Sequence, residues 1–270
     1  MQNVSYGDVF SFTKTEREIM KSWFRPFIQY VGLILLLVIW QLAGFLNLLP
    51  KYILPTPLEI GQAFIRDSQL LLFHTWSSLS IALLGLFLGV LIAVLFALLM
   101  DRFAWLRDLL YPLMIIFQTI PTIAIAPILV LWLGYGVLPK VVLILLTTTF
   151  PIIISILDGF RNADPDMLKL FKLMQASPKQ VLWHYKIPAS LPYFFAGLRV
   201  SVSYAFITAV VSEWLGAFEG LGYYMILSKK LFQYDTMFAI IILISAITLL
   251  GMKAVDLLEK KLINWRPVDV

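Results

Sequence analysis

Between Asp67 and Asp101 the chain carries no charged residue. That apolar run is longer than the ~20 residues a helix needs to cross the hydrocarbon core of a bilayer. A second uncharged stretch lies between Arg25 and Lys51. Over all 270 residues, 60% are hydrophobic, only 14% are charged, and the mean hydropathy is +0.88. A soluble domain has about a quarter of its residues charged, so the chain is read as an integral membrane protein. Membrane barrels alternate apolar and polar positions over strands of about ten residues. Here the apolar runs are continuous, which predicts an all-α, polytopic fold.

Six spans are expected, at residues 28–46, 79–100, 110–132, 141–157, 191–214 and 236–252. Residues 1–25 read as a polar arm, 26–258 as the membrane domain with a loop at 158–190, and 259–270 as a tail. No cleavable signal peptide is expected, because the arm is polar and the first apolar run is long enough to remain in the membrane. Residues 57–66, behind Pro50, Pro55 and Pro57, read as a short surface helix, and His74, Trp76, Ser77 and Ser78 as a polar approach to the second span. The third span carries Pro112, Pro121 and Pro127 with Gln118, Thr119 and Thr122 between them. Proline inside a membrane helix frees carbonyls that protein or water must satisfy, so this span is expected to face protein or an aqueous path.

Orientation follows from the basic residues. With the N-terminus inside, 15 of the 21 Lys and Arg fall in inner segments and five in outer ones, while Arg199 lies within a span. Inner loops carry the excess of positive charge. Both termini and the 158–190 loop are therefore expected in the cytosol. The net charge of +5 is scattered around the spans and is no signal for nucleic acid.

Within that loop, Asp164 to Pro188 is charged and amphipathic. Asp164 suits an N-cap, Pro165 the first helical position, and Asp166 the positive end of the helix dipole. Met167, Leu170, Phe171 and Met174 recur at helical spacing, with Lys169, Lys172 and Gln175 on the other side. Ser177, Pro178 and Gln180 then read as a capping box that starts a second short helix. An apolar stripe with basic flanks can dock in a partner's groove; the plainer alternative is a loop helix resting on lipid headgroups.

No G-x-x-x-x-G-K-[ST] occurs, so the chain has no P-loop of its own. It has no cysteine, and His74 and His184 stand far apart, so no catalytic constellation is recognised. Gln118, Thr119, Ser201, Tyr204, Thr208 and Glu213 are the candidates to line a translocation path. Polar residues at such positions also serve as helix–helix glue. Glu213, at the end of the fifth span, is either a pathway group or a structural carboxylate that caps the next segment.

Asp164 to Pro188 and the stretches on either side of it resemble the permease subunits of ATP-binding-cassette importers, the binding-protein-dependent inner-membrane component. That family's loop reads E-A-A, three residues, G, nine residues, I-x-L-P. Lys169-Leu170-Phe171 stands at the E-A-A, Gln175 at the glycine, Tyr185 at the isoleucine, and Ile187-Pro188 at the L-P. Leu54-Pro55-Thr56-Pro57, Ile120-Pro121-Thr122, Ala196-Gly197-Leu198-Arg199, Ser212 to Ala217 and Gly220 to Tyr223 are similar to the branch importing sulfonates, taurine, nitrate and thiamine precursors. The resemblance implies a type I importer fold with a coupling helix formed by Met167, Leu170, Phe171, Lys172, Met174, Gln175, Ser177 and Pro178. It also implies two ATPase subunits that hold ATP and magnesium, an extracytoplasmic binding protein, a second permease copy, and a place in a bacterial inner membrane. A pyrimidine precursor of thiamine is the substrate it favours, with sulfonate, taurine or nitrate as alternatives. A secondary transporter that needs no ATPase would instead show midplane acids and symmetric halves, and neither is visible in the sequence.

Overall fold

The computed structural model describes residues 31–263 apart from 33, 47, 49 and 51. By internal contacts the chain divides into two units, Met1–Gln62 and Ala63–Val270. In the first, α1 (Ile34–Phe45) is a short apolar helix; residues 28–30 and 33 of the expected first span lie outside the described residues. Trp40 Nε1 donates to the Pro55 carbonyl (3.0 Å), which pins the proline-rich turn back onto α1. Thr56 and Glu59 then cap one another reciprocally: the Thr56 amide donates to Glu59 Oε2 (2.9 Å) and the Glu59 amide to Thr56 Oγ1 (3.2 Å). That capping box, with Pro57 in the first turn, starts α2 (Pro57–Arg66) where the sequence places the short surface helix.

The second unit is built on three long helices, α3 (Ser68–Arg102), α6 (Val137–Arg161) and α9 (Ile187–Glu213). Small residues set their spacing, because lipid offers no hydrophobic drive between membrane helices and close backbone approach must supply the packing. A Cβ on Gly85 of α3 would run into the Ile144 side chain, and one on Gly89 into Thr148. On the other side of α6, Gly159 faces Ser190 and Gly197 faces Ser155, both across the seam with α9. Ser201 Oγ donates to the Thr148 carbonyl (2.8 Å) in the middle of that seam. α11 (Tyr234–Leu262) lies along α9, with Gly251 against Val202 and Phe206. Among the described residues no strand occurs, and the outward faces of α3 and α11 are rows of exposed Leu, Ile and Phe, as lipid contact requires.

Four helical stretches are long and apolar enough to cross a membrane: Ser68–Arg102, Val137–Arg161, Pro178–Glu213 and Tyr234–Leu262. A bent pair makes up to five among the described residues. Beyond shifts of a few residues at span ends, three expectations change. The third span is not one rod: α4 (Ala104–Thr119) and α5 (Thr122–Leu133) meet at 103°. Pro121 explains the break, since its ring drives the preceding residue out of the helical region, and Ile120 is extended at φ −80°, ψ 122°. The second span starts earlier, at Ser68, because His74, Ser77 and Ser78 are buried in protein and belong to the helix. The last helix runs on to Leu262, beyond the expected start of the tail at 259.

Between α6 and α9 come α7 (Pro165–Leu173) and α8 (Pro178–Val181). α8 is not a free-standing helix. It passes through a single wide turn, Leu182–Lys186, directly into α9. α10 (Leu221–Lys230) returns beside α3 and α11 at the opposite end of the long helices.

Candidate functional site

The bend between α4 and α5 opens a cavity of about 270 Å³ against the middle of α6 and α9. Phe117, Gln118 and Thr119 come from the last turn of α4, Thr147 and Phe150 from α6, and Tyr204 from α9. Pro151 of α6 also lines it; lacking an N–H, it deprives the Thr147 carbonyl of its helical donor. The Thr147 hydroxyl reaches the Ile144 carbonyl (2.9 Å) and lies 3.2 Å from the hydroxyl of Thr208. Thr119 Oγ1 turns back to the Ile116 carbonyl (2.7 Å). No hydrogen-bond partner among the described residues meets the Gln118 amide or the Tyr204 hydroxyl. Broken helices at membrane depth are tolerated where they are buried or line a cavity, and this one lines a cavity.

Three of the six path candidates, Gln118, Thr119 and Tyr204, thus share one wall-to-wall space, and Thr208 stands one hydroxyl behind it. Ser201 and Glu213 are elsewhere. Ser201 is fully buried in the α6–α9 seam and acts as glue.

Glu213 is 1% exposed, at the end of α9. One carboxylate oxygen accepts from Ser78 Oγ (2.7 Å) and the other from the Gly222 amide (2.7 Å). Ser78 Oγ in turn accepts from the Leu221 amide (2.7 Å), and His74 Nδ1 accepts from the Gly220 amide (3.1 Å). Three consecutive amides at the start of α10 are therefore met by side chains from α3 and α9. This is a helix N-cap supplied from a distance. Gly220 has φ +112°, and a Cβ there would strike the Glu213 carboxyl group. Glu213 holds α10 in place.

The other end of the helices carries α7. Asp164 accepts from the Asp166 amide (2.8 Å) as the N-cap, as expected. α7 then stops in a Schellman motif: the Gln175 amide donates to the Lys172 carbonyl (3.0 Å) and the Ala176 amide to the Phe171 carbonyl (3.0 Å). Gln175 takes the left-handed conformation this demands, at φ +54°. Ser177 follows with the expected capping box, its amide to Gln180 Oε1 at 2.7 Å and the Gln180 amide to its hydroxyl at 3.3 Å.

The apolar stripe divides. Phe171 turns inward and stacks on Tyr185 of the wide turn, with centroids 5.7 Å apart. Met167, Leu170 and Met174 are exposed, as is Leu173, at 81% the most open of them. Lys172 is exposed, and Lys169 pairs with Asp166 (2.8 Å). Behind the loop, Lys186 Nζ bonds both oxygens of Asp101 (2.8 and 3.0 Å). Arg199, whose partner the sequence does not name, holds Asp256 (2.6 Å) and Glu259 (3.1 Å) of α11.

Residues 85–264, which contain the cavity walls, Glu213 and α7 but not His74 and Ser78, match the binding-protein-dependent transport system inner membrane component. The chain belongs to that family. This inner membrane component is a permease subunit of an ABC importer, and ATP hydrolysis belongs to a separate subunit. An ABC transporter permease protein of Haemophilus influenzae is 41% identical over 84% of this chain and 93% of its own length. The formylaminopyrimidine transport permease protein ThiX of Halalkalibacterium halodurans is 38% identical over 86% and 93%. Permeases named for aliphatic sulfonates and for taurine match at lower identity. In fold, the chain is similar to a crystallised amino acid ABC transporter with histidines, at TM-score 0.63 and 14% identity over 74% of this chain and 97% of that one.

Sequence reasoning misses Leu173, because a four-residue stripe at i, i+3, i+4, i+7 does not say which edge faces the protein. It also misses Thr147 and Phe150 as cavity walls; Pro151, four residues after Thr147, is the available signal. The Ser78–Glu213–Gly222 contact spans segments too far apart in the chain for any local pattern to reveal.

Proposed function

We propose that this permease forms the membrane path for a small organic nutrient delivered by an extracytoplasmic binding protein, and that α7 is the element through which two ATPase subunits drive it. The observation that carries this is the exposed face of α7. A helix capped firmly at both ends leaves Met167, Leu170, Leu173 and Met174 open and none of its residues buried. Exposed apolar side chains on a short, rigidly ended helix suit a groove in a soluble partner. The wide turn and Phe171–Tyr185 stack then join α7 to α9, which forms part of the cavity wall.

Both termini and α7 lie on the cytosolic side in this proposal, with six spans per chain and two copies of the chain around one path. The substrate is a pyrimidine precursor of thiamine, supported by the identity with ThiX; a sulfonate or taurine is the alternative. The chain contains no cysteine, so single cysteines report topology directly. Cysteines at Lys51 and Lys229 should react with an impermeant thiol reagent in intact cells, and one at Lys172 should not. Reaction at Lys172→Cys would place α7 outside and remove the ATPase from the proposal. Deleting the chain should abolish uptake of labelled formylaminopyrimidine; unchanged uptake would reject that substrate.

A further inference from the structure

The cavity at the α4–α5 bend has a chemical character of its own. None of its lining residues is charged. Phe117 and Phe150 form one wall, their rings 6.1 Å apart and tilted by 42°. Gln118 and Tyr204 bring an amide and a phenol, each able to donate and to accept, with no partner among the described residues. We infer that this cavity is a subsite for a flat, uncharged heteroaromatic ring carrying small polar substituents, stacked on Phe117 and Phe150 and hydrogen-bonded by Gln118 and Tyr204. The inference rests on the proposal that this chain forms the path, and adds which of its residues hold the substrate's ring.

Size agrees with that class. A dry cavity of about 150 Å³ accepts one benzene ring, so about 270 Å³ holds a six-membered ring with two or three substituents. Charge excludes the competitors. A sulfonate that enters here would lose its hydration with no cation in the wall to replace it, and burying such a charge unpaired is far costlier than burying a hydrogen-bonded ring. The aromatic wall also suits a ring better than an aliphatic chain, because ring pairs gain from offset or edge contact beyond the area they bury. Thr119 and Thr147 spend their single hydroxyl hydrogens on carbonyls of their own helices, so they can offer the ligand acceptors only.

Single cysteines at Thr122 and Thr147 in the complete importer complex, in nanodiscs, provide the test. Both line the cavity and should react with a small water-soluble methanethiosulfonate, while Ser201→Cys, fully buried in the seam, should not. Saturating formylaminopyrimidine should slow both reactions at least tenfold, and taurine less than twofold. Adding Gln118→Ala or Phe150→Leu should reduce the pyrimidine's protection at least threefold. Reaction without protection, or equal protection by taurine, would overturn the heteroaromatic subsite and leave the path standing. Undiminished protection with both wall variants would overturn the assignment of those walls. No reaction at either Thr122→Cys or Thr147→Cys would show a space closed to water, and path and subsite would fall together.

Discussion

The two ends of the long helices treat the same kinds of residue in opposite ways. At the Glu213 end the start of α10 is closed by side chains from elsewhere in the chain: the carboxylate meets Ser78 and Gly222, Ser78 meets Leu221, and His74 Nδ1 meets Gly220, while the nearby hydroxyls of Thr75, Ser77 and Ser228 stay buried without a partner among the described residues. At the α7 end the backbone is closed by caps at both termini, but the apolar side chains other than Phe171 are largely left open. The first end spends its polar residues on holding α10, a job finished within the chain. The second makes a stiff helix and leaves Met167, Leu170, Leu173 and Met174 exposed. A membrane protein that passes force from a soluble subunit needs both: a fixed end and a presented one. Substitutions at the fixed end should cost stability, and those at the presented end should cost association.

The largest effect is expected from Glu213→Ala. It strips the partners from a buried hydroxyl and a buried amide at once, and each unsatisfied buried group costs about 1–3 kcal/mol. With the void added, the loss should be roughly 2–5 kcal/mol. It should be visible as a drop in the thermal midpoint in detergent and as faster exchange of the Leu221 and Gly222 amides. Glu213→Gln keeps one acceptor and should fall between. A stable Glu213→Ala protein with transport alone impaired would move this carboxylate from scaffold to pathway and erase the contrast between the ends.

Much of this is legible in the sequence, and the boundary is physical. Local chemistry reads well: Asp164-Pro165 and Ser177-Pro178 with Gln180 form as their cap signals say, because caps involve residues three or four apart, and Pro57 to Arg66 forms where its prolines point. Pro121 announces a disturbance of the third span, yet the 103° bend depends on where two half-helices find packing, which a single proline does not encode. Glu213 stands between two roles in the sequence. Its residue type is plain there, but the choice depends on Ser78, more than a hundred residues away. Phe171 falls in the same stripe as the exposed residues because helical spacing gives a face and not its direction.

Leu173→Ala comes next. If α7 docks in an ATPase groove, burying this leucine is worth roughly 1.5–3 kcal/mol, so co-purification of the ATPase should weaken tenfold or more. The thermal midpoint should hold, since the side chain touches little of its own protein. Lys172→Ala, at the rim, should change mainly the salt dependence of association. Full association of Leu173→Ala would reduce α7 to a surface loop and leave the second end with nothing to present.

Phe171→Ala should cost less association than Leu173→Ala, because its ring is directed at Tyr185 and not outward. Losing the ring pair removes about 0.5–1.5 kcal/mol beyond its buried area. What it should break is transmission: ATP hydrolysis in liposomes continuing while substrate uptake falls. Equal loss of association in the two variants would mean that Phe171 swings out to meet the partner, contrary to its inward stack.

The smallest effect concerns Gln175, where the family's loop has glycine. A left-handed backbone costs a residue with a Cβ about 1 kcal/mol, and glycine adopts it without that cost. Glycine also enlarges the freedom of the unfolded chain, so Gln175→Gly should gain at most about 1 kcal/mol locally. Transport should not change, because the Schellman bonds run through backbone atoms that both residues share. The sensitive reporter is the Ala176 amide, which donates to the Phe171 carbonyl. Its hydrogen exchange should slow severalfold in Gln175→Gly and accelerate in Gln175→Val, whose branched Cβ tolerates φ +54° worst. If glycine speeds the exchange instead, the Gln175 side chain is stabilising the turn, and the stiffness of the presented end comes from that side chain and not from the caps alone.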